Sequence, residues 1–197
     1  MMEDFRHRQP RRRENPISKT SYTDYKPELR EDFNERCGYC GDHDFFRQTY
    51  YEIDHFVPRK KLKTISLNTY SNLVYTCRSC NNAKRAKWPT GDENVHNNGK
   101  EGFVDPCAPE YASHFHRGKD GGIIADTELG QWMWSALNFG NPSHRFIWNL
   151  EEIRKQITVI LELAKEDKIP EELSADVRTL TAKYFAYEAE LKGVPHF

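Results

Sequence analysis

The chain has 197 residues, of which 37% are hydrophobic, 13% aromatic and 30% charged, and this excludes a disordered chain while allowing one globular module with an appendage. A mean hydropathy of −0.87 and the lack of any apolar run of bilayer length exclude a membrane span; the Arg-rich N-terminus has no apolar signal segment, which predicts a cytoplasmic protein. The net charge of −1 hides an asymmetry, with nineteen Lys/Arg against fourteen Asp/Glu in residues 1–100 and ten against sixteen in residues 101–197.

In chain order, residues 1–20 contain Arg6, Arg8, Arg11, Arg12 and Arg13 with no apolar period, and read as a basic flexible arm available to phosphate. Residues 27–36 predict a short helix with Pro27 in its first turn and Leu29 and Phe33 on one face. Cys37-Gly-Tyr-Cys40 follows, and Cys77-Arg-Ser-Cys80 repeats the spacing. Two residues between cysteines let a tight turn aim both sulfurs at one ion, so Cys37, Cys40, Cys77 and Cys80 form a candidate structural zinc site. Gly38 and Gly41 are expected to turn the first knuckle and free backbone amides for its sulfurs. Cys107 is the unpartnered fifth cysteine, read as a small buried thiol.

Between the knuckles, Phe45 to Phe56 is aromatic and β-branched and predicts a β-hairpin whose second strand ends at Asp54 and His55. Neighbours on a strand face opposite ways, so those two side chains can hold different roles. Asn72 precedes the apolar run Leu73-Val-Tyr-Thr, and a helix is expected from Asn81 to Lys87, with Asn81 and Lys84 on one face. At a helix start, Asn81 and Asn82 are equally able to face a metal. Arg59 to Lys87 holds eight basic and no acidic residues, a block suited to polyphosphate.

Asp-His at a strand end, Asn before an apolar strand, and Cys-x-x-Cys-Asn-x-x-Lys opening a helix resemble the HNH endonucleases in their HNN form, over residues 37–87. A looser similarity covers Gly102-Phe-Val-Asp-Pro106 and the helical C-terminus. The resemblance implies an α+β ββα-metal module clamped by zinc, with His55, Asn72 and Asn81 as the three motif residues and Asn81 chosen over Asn82. It implies a metal-dependent DNA endonuclease in which His55 is the general base, Asp54 and Asn81 hold Mg²⁺ or Mn²⁺, and Asn72 fixes the loop beside His55. An amide oxygen in place of imidazole favours those harder ions. Arg59, Lys84 and Arg85 are expected to contact flanking phosphates.

Residues 21–100 are thus read as the nuclease module and 101–142 as a mixed connecting region, with a small hairpin near Gly121 and a short helix from Trp132 to Leu137. His114 and His116 read as an exposed pair, and Trp132, Trp134 and Trp148 as core. From Ser143, apolar residues recur at helical spacing in two stretches, predicting a helical hairpin over 143–197 with Pro170 near the start of its second helix. That hairpin packs on the module or serves a protein partner or homodimer. Two other classes compete: an effector subunit of an anti-phage complex, silent without its partner, and a non-catalytic zinc-dependent nucleic-acid-binding protein.

Overall fold

The computed structural model describes residues 3–46, 50–165 and 171–193. At its centre, strand β2 (Tyr51–His55) pairs antiparallel with β3 (Leu73–Cys77), matching Tyr51 to Cys77 and His55 to Leu73. Helix α2 (Arg78–Lys84) follows β3 directly, its first turn capped by Cys77, whose sulfur accepts from the Cys80 amide. The hairpin predicted within Phe45–Phe56 is therefore a different one. Among the described residues only its second strand forms; Asp44–Phe46 is a 3₁₀ turn, and the partner of Tyr51–His55 lies across the long basic loop. Every residue of β3 is buried, so it gives β2 a partner wholly inside the core. Helix α2 also starts earlier than expected, at Arg78, because Cys77 caps it.

The first residues do not form a free arm. Glu3–Asp4 (β1) pairs with β4 (Phe115–Arg117), which pairs with β5 (Ile123–Ala125) across the turn at Gly121. Phe5 is buried in the core. Arg6 is buried against the Tyr111 ring, 4.5 Å from its centroid, and donates to the Pro106 carbonyl at 3.2 Å. Arg12 donates to the Leu73 carbonyl at 2.9 Å and to both Asp105 oxygens at 2.8 and 3.0 Å, while Arg13 meets Asp32 and Glu31, each at 3.0 Å. Arg8 and Arg11 stay exposed. The arginine run is a strap, because counter-charges 19 and 93 positions away along the chain fold back onto it.

Residues 101–142 share the same core. Phe103, Tyr111, Phe115, Leu129, Met133 and Phe139 pack in one cluster with Leu29, Phe33, Leu73 and Val74, so the connecting region shares one core with the residues before it. Helix α1 (Lys26–Asp32) supplies Leu29 to that cluster, and α3 (Glu128–Ala136) supplies Leu129 and Met133. Trp132 and Trp134 pack at its edge. His114 and His116 bond Thr127 and Asp126, each at 2.6 Å, and do not converge on a shared site. Cys107 is half-buried, and burial pushes its thiol up to about 11.

Helices α4 (Ser143–Lys165) and α5 (Glu171–Gly193) pack side by side. Pro170 lies outside the described residues. The base of α4 is tied to the body: Glu151 accepts from Arg36 at 2.8 Å, His144 Nδ1 lies 2.8 Å from Asp42, and Trp148 stacks on His7 at 4.2 Å. Burial works to raise the Glu151 carboxyl, but Arg36 outweighs it and holds the group below its usual range. Farther out, Val159, Leu161, Leu163 and Phe185 are exposed. No helix among the described residues is long and apolar enough to cross a membrane.

Candidate active site

The four cysteines converge. Cys37, Cys40, Cys77 and Cys80 are all buried, their sulfurs lie within 4.8 Å of one another, and Cys40 and Cys77 are 3.9 Å apart. Sulfurs bound tetrahedrally at about 2.3 Å from one zinc ion sit nearly this far apart. Gly38 is required because a Cβ there would lie 2.6 Å from the Phe33 ring and 2.7 Å from Val74; Gly41 takes φ +77°. The Gly38 amide, however, donates to the Tyr75 carbonyl and the Gly41 amide to the Cys37 carbonyl, so neither serves a sulfur as expected.

The electrostatics also fit zinc. Burial pushes the Cys40 and Cys80 thiols well up, whereas at Cys37 hydrogen bonds from the other three cysteines outweigh burial and hold the thiol well below its ordinary value, so the four share charge as one cluster. Four thiolates around one Zn²⁺ carry two residual negative charges. Two buried arginines lie close by: Arg117 donates to the Cys40 carbonyl at 2.8 Å and pairs with Asp42 at 3.7 Å, and Arg6 has Nε and Nη2 without a hydrogen-bond partner among the described residues.

The knuckles pin the β2–β3 pair, and at its open end stand the motif residues. Asn72 is buried and bonds both backbone groups of Val57: its Oδ1 accepts from the amide at 2.8 Å and its Nδ2 donates to the carbonyl at 3.2 Å. This holds the turn that leaves His55. His55 Nε2 lies 2.9 Å from the Leu67 carbonyl, and Arg59 Nε lies 3.3 Å from His55 Nδ1. A guanidinium only donates and a carbonyl only accepts, so Nδ1 carries the lone pair and Nε2 the proton. Burial pushes the imidazole below its ordinary value, partly offset by the Leu67 carbonyl, and the ring is neutral near pH 7.

Asn81 Nδ2 donates to Glu52 Oε2 at 2.6 Å, and Asn81 Oδ1 has no protein partner among the described residues. Residues 37–87 match the family model described as HNH endonuclease. This segment is an HNH endonuclease domain. No curated protein and no solved structure matches the chain. An HNH domain points to a nuclease in general, a class that binds nucleic acid and uses metal ions.

Within the HNH domain, Lys84 does not stand where a phosphate contact must. It is wholly buried, with Nζ 2.9 Å from Asp54 Oδ2 and 3.1 Å from the His55 carbonyl, over the rings of Phe103 and Tyr39. Its helix face turns into the core because Asn81, one turn earlier, faces β2. Tyr39 donates to the same Asp54 oxygen at 2.6 Å, and burial, then Asp54, pushes that phenol well up, so it stays a donor. Asp54 thus keeps one oxygen, Oδ1, without a protein partner among the described residues. Arg59 and Arg85 are exposed, as are Lys60, Lys63 and Arg78.

Sequence reasoning missed Tyr39, Glu52, Glu93 and Tyr22. Glu52 had a signal, since it lies two residues before Asp54 and so on the same face of β2. Glu93 is buried and accepts from Lys63 N at 2.7 Å and from Thr64 N and Oγ1 at 3.0 and 2.6 Å, bracing the basic loop. Nothing near position 93 announces that role. Tyr22 touches Arg59 and the His55 ring from outside the matched segment.

Proposed function

We propose that the chain is a metal-dependent endonuclease that hydrolyses DNA phosphodiester bonds with His55 as general base. The observation that carries this reading is the state of His55. Its tautomer is set by Leu67, its lone pair is on Nδ1, and burial keeps it neutral, as a base that takes a proton from water near pH 7 must be. A positioned base of this kind contributes roughly 10²–10⁴-fold. Asn72 holds the ring's exit turn, so loss of its side chain is felt as misplacement of His55.

Asp54 Oδ1 and Asn81 Oδ1 are the hard oxygen donors for Mg²⁺ or Mn²⁺, with Glu52 orienting the Asn81 amide. A divalent ion held there supplies charge neutralisation at the phosphate and the leaving oxygen. Lys84 and Tyr39 fix the Asp54 carboxylate from beneath. Arg59, Arg85, Lys60 and Lys63 form the cationic surface that tracks the backbone, without a long recognition helix to read bases. The test is a labelled duplex cleaved in Mg²⁺: ends that are 5′-phosphate and 3′-hydroxyl, lost in Asn81→Ala, support this assignment. Equal or faster cleavage of a matched RNA duplex would overturn the choice of DNA.

One observation favours a second reading, an effector subunit awaiting a partner: His55 is only 3% exposed in the free chain. Exposed Val159 and Leu161 on α4 and Phe185 on α5 are where that partner, or a second copy, would dock. Mass measurement on size-exclusion chromatography with and without candidate neighbours separates the two.

A further inference from the structure

A base that is almost fully covered must be uncovered before it meets water and phosphate, and the residues around His55 show how. Its Nδ1, the atom that carries the lone pair, faces Arg59 Nε at 3.3 Å. That is a long bond, easily exchanged. The far side of the same guanidinium is held better: Nη2 donates to the Tyr22 hydroxyl, and Cζ lies 4.6 Å from the Tyr22 ring centroid. The Tyr22 ring in turn meets the His55 ring edge-on at 4.8 Å.

Tyr22 is a fixed anchor. It begins a 3₁₀ turn, Tyr22–Tyr25, in which the Thr23 amide donates to the Ser21 hydroxyl, and Tyr25 at its end is buried against Tyr70. Asn68 ties this segment to the basic loop by donating to the Thr20 carbonyl at 2.9 Å, one residue from the Leu67 carbonyl that orients His55. The other charged groups that act on His55 are Asp54 and Lys84, which are paired with each other.

We propose that Tyr22, outside the matched HNH segment, is a positioning residue of the nuclease site. It carries Arg59, whose guanidinium caps His55 Nδ1 in the free protein and passes to the phosphodiester when nucleic acid binds. A phosphate oxygen is a far better partner for a guanidinium than a neutral imidazole, since the bond is charge-assisted and can be bidentate. Arrival of the phosphate therefore frees the lone pair when there is a bond to cut, while Tyr22 keeps the departing guanidinium in reach. This inference rests on the reading of His55 as the base.

The test follows the ring nitrogens of His55 by NMR in the full zinc-loaded chain with ¹⁵N-labelled histidine, His55→Ala assigning the signals. Arg59→Ala supplies the uncapped reference. A short DNA duplex added with Ca²⁺ in place of Mg²⁺ moves the wild-type Nδ1 signal to that reference. Tyr22→Phe, which keeps the ring and the Arg59 charge, moves Nδ1 partway there without DNA. It lowers kcat about tenfold, the worth of roughly one positioning hydrogen bond, while duplex affinity in Ca²⁺ holds within about twofold. A Nδ1 signal that ignores saturating duplex, or a Tyr22→Phe variant with wild-type signal and kcat, overturns the proposal. Wild-type protein that shows the DNA-induced shift but cuts nothing supports the cap and contradicts the base, so the two failures are told apart.

Discussion

Replacing Lys84 by Met separates two roles that the sequence alone confuses. As a phosphate contact, Lys84 would be exposed, and its loss would flatten the salt dependence of DNA binding by about 0.9 in log–log slope at little cost in stability. The structure instead puts its ammonium 2.9 Å from Asp54 Oδ2, with no exposed surface. Methionine fills the same volume but leaves the Asp54 charge opposed only by the Tyr39 hydroxyl, which supplies no charge. Removing one partner of a buried pair costs about 3–5 kcal/mol, and removing both at matched volume costs far less. Urea unfolding of the zinc-loaded protein, followed by near-ultraviolet circular dichroism, should therefore show a loss of about 3–5 kcal/mol for Lys84→Met, largely restored by Asp54→Asn in the double variant. Binding of a labelled duplex, titrated with salt, should keep its slope. Wild-type stability with a shallower slope would refute the reasoning and return Lys84 to the nucleic-acid surface.

Cys80→Ser should abolish zinc stoichiometry and the cooperative fold together, since a structural zinc site supplies about 10–16 kcal/mol in small domains; folded, zinc-free protein would contradict the clamp. Phe5→Ala should lower stability by about 3–5 kcal/mol, as expected for an emptied core position, and Arg12→Ala should lower the urea midpoint while leaving the salt slope unchanged. A slope reduced by about 0.9 in Arg12→Ala would restore the phosphate-binding arm. Burial lowers the His55 pKa, so the neutral base persists to lower pH than a free imidazole. The rate of cleavage should rise with pH through an inflection below about 6.5, the value of a free imidazole; an inflection above it would mean another group titrates.

What the sequence made legible is what rests on local spacing. Paired cysteines two residues apart, Asn72 ahead of an apolar strand, and helical periodicity from Ser143 each needed only neighbours in the chain to be read. The misreadings share one cause. The arginines of the strap and Lys84 sit in basic runs that read as phosphate-binding, and the carboxylates that bury them lie far along the chain, Asp105 for Arg12 and Asp54 for Lys84. Strand pairing failed the same way: Tyr51–His55 had a nearby aromatic run to pair with, but the fully buried Leu73–Cys77 took that place. Tyr22 and Glu93 shape the site from outside its motif, where local sequence carries no sign of them.

Everything proposed for the site turns on His55 acting as the base of a metal-dependent nuclease. That role is tested most directly by incubating supercoiled plasmid with the zinc-loaded chain in Mg²⁺ and in Mn²⁺, beside His55→Ala. Metal-dependent nicking is expected, falling by roughly 10²–10⁴-fold in the variant while duplex binding persists. Nicking of equal rate by wild type and a folded His55→Ala variant would contradict it.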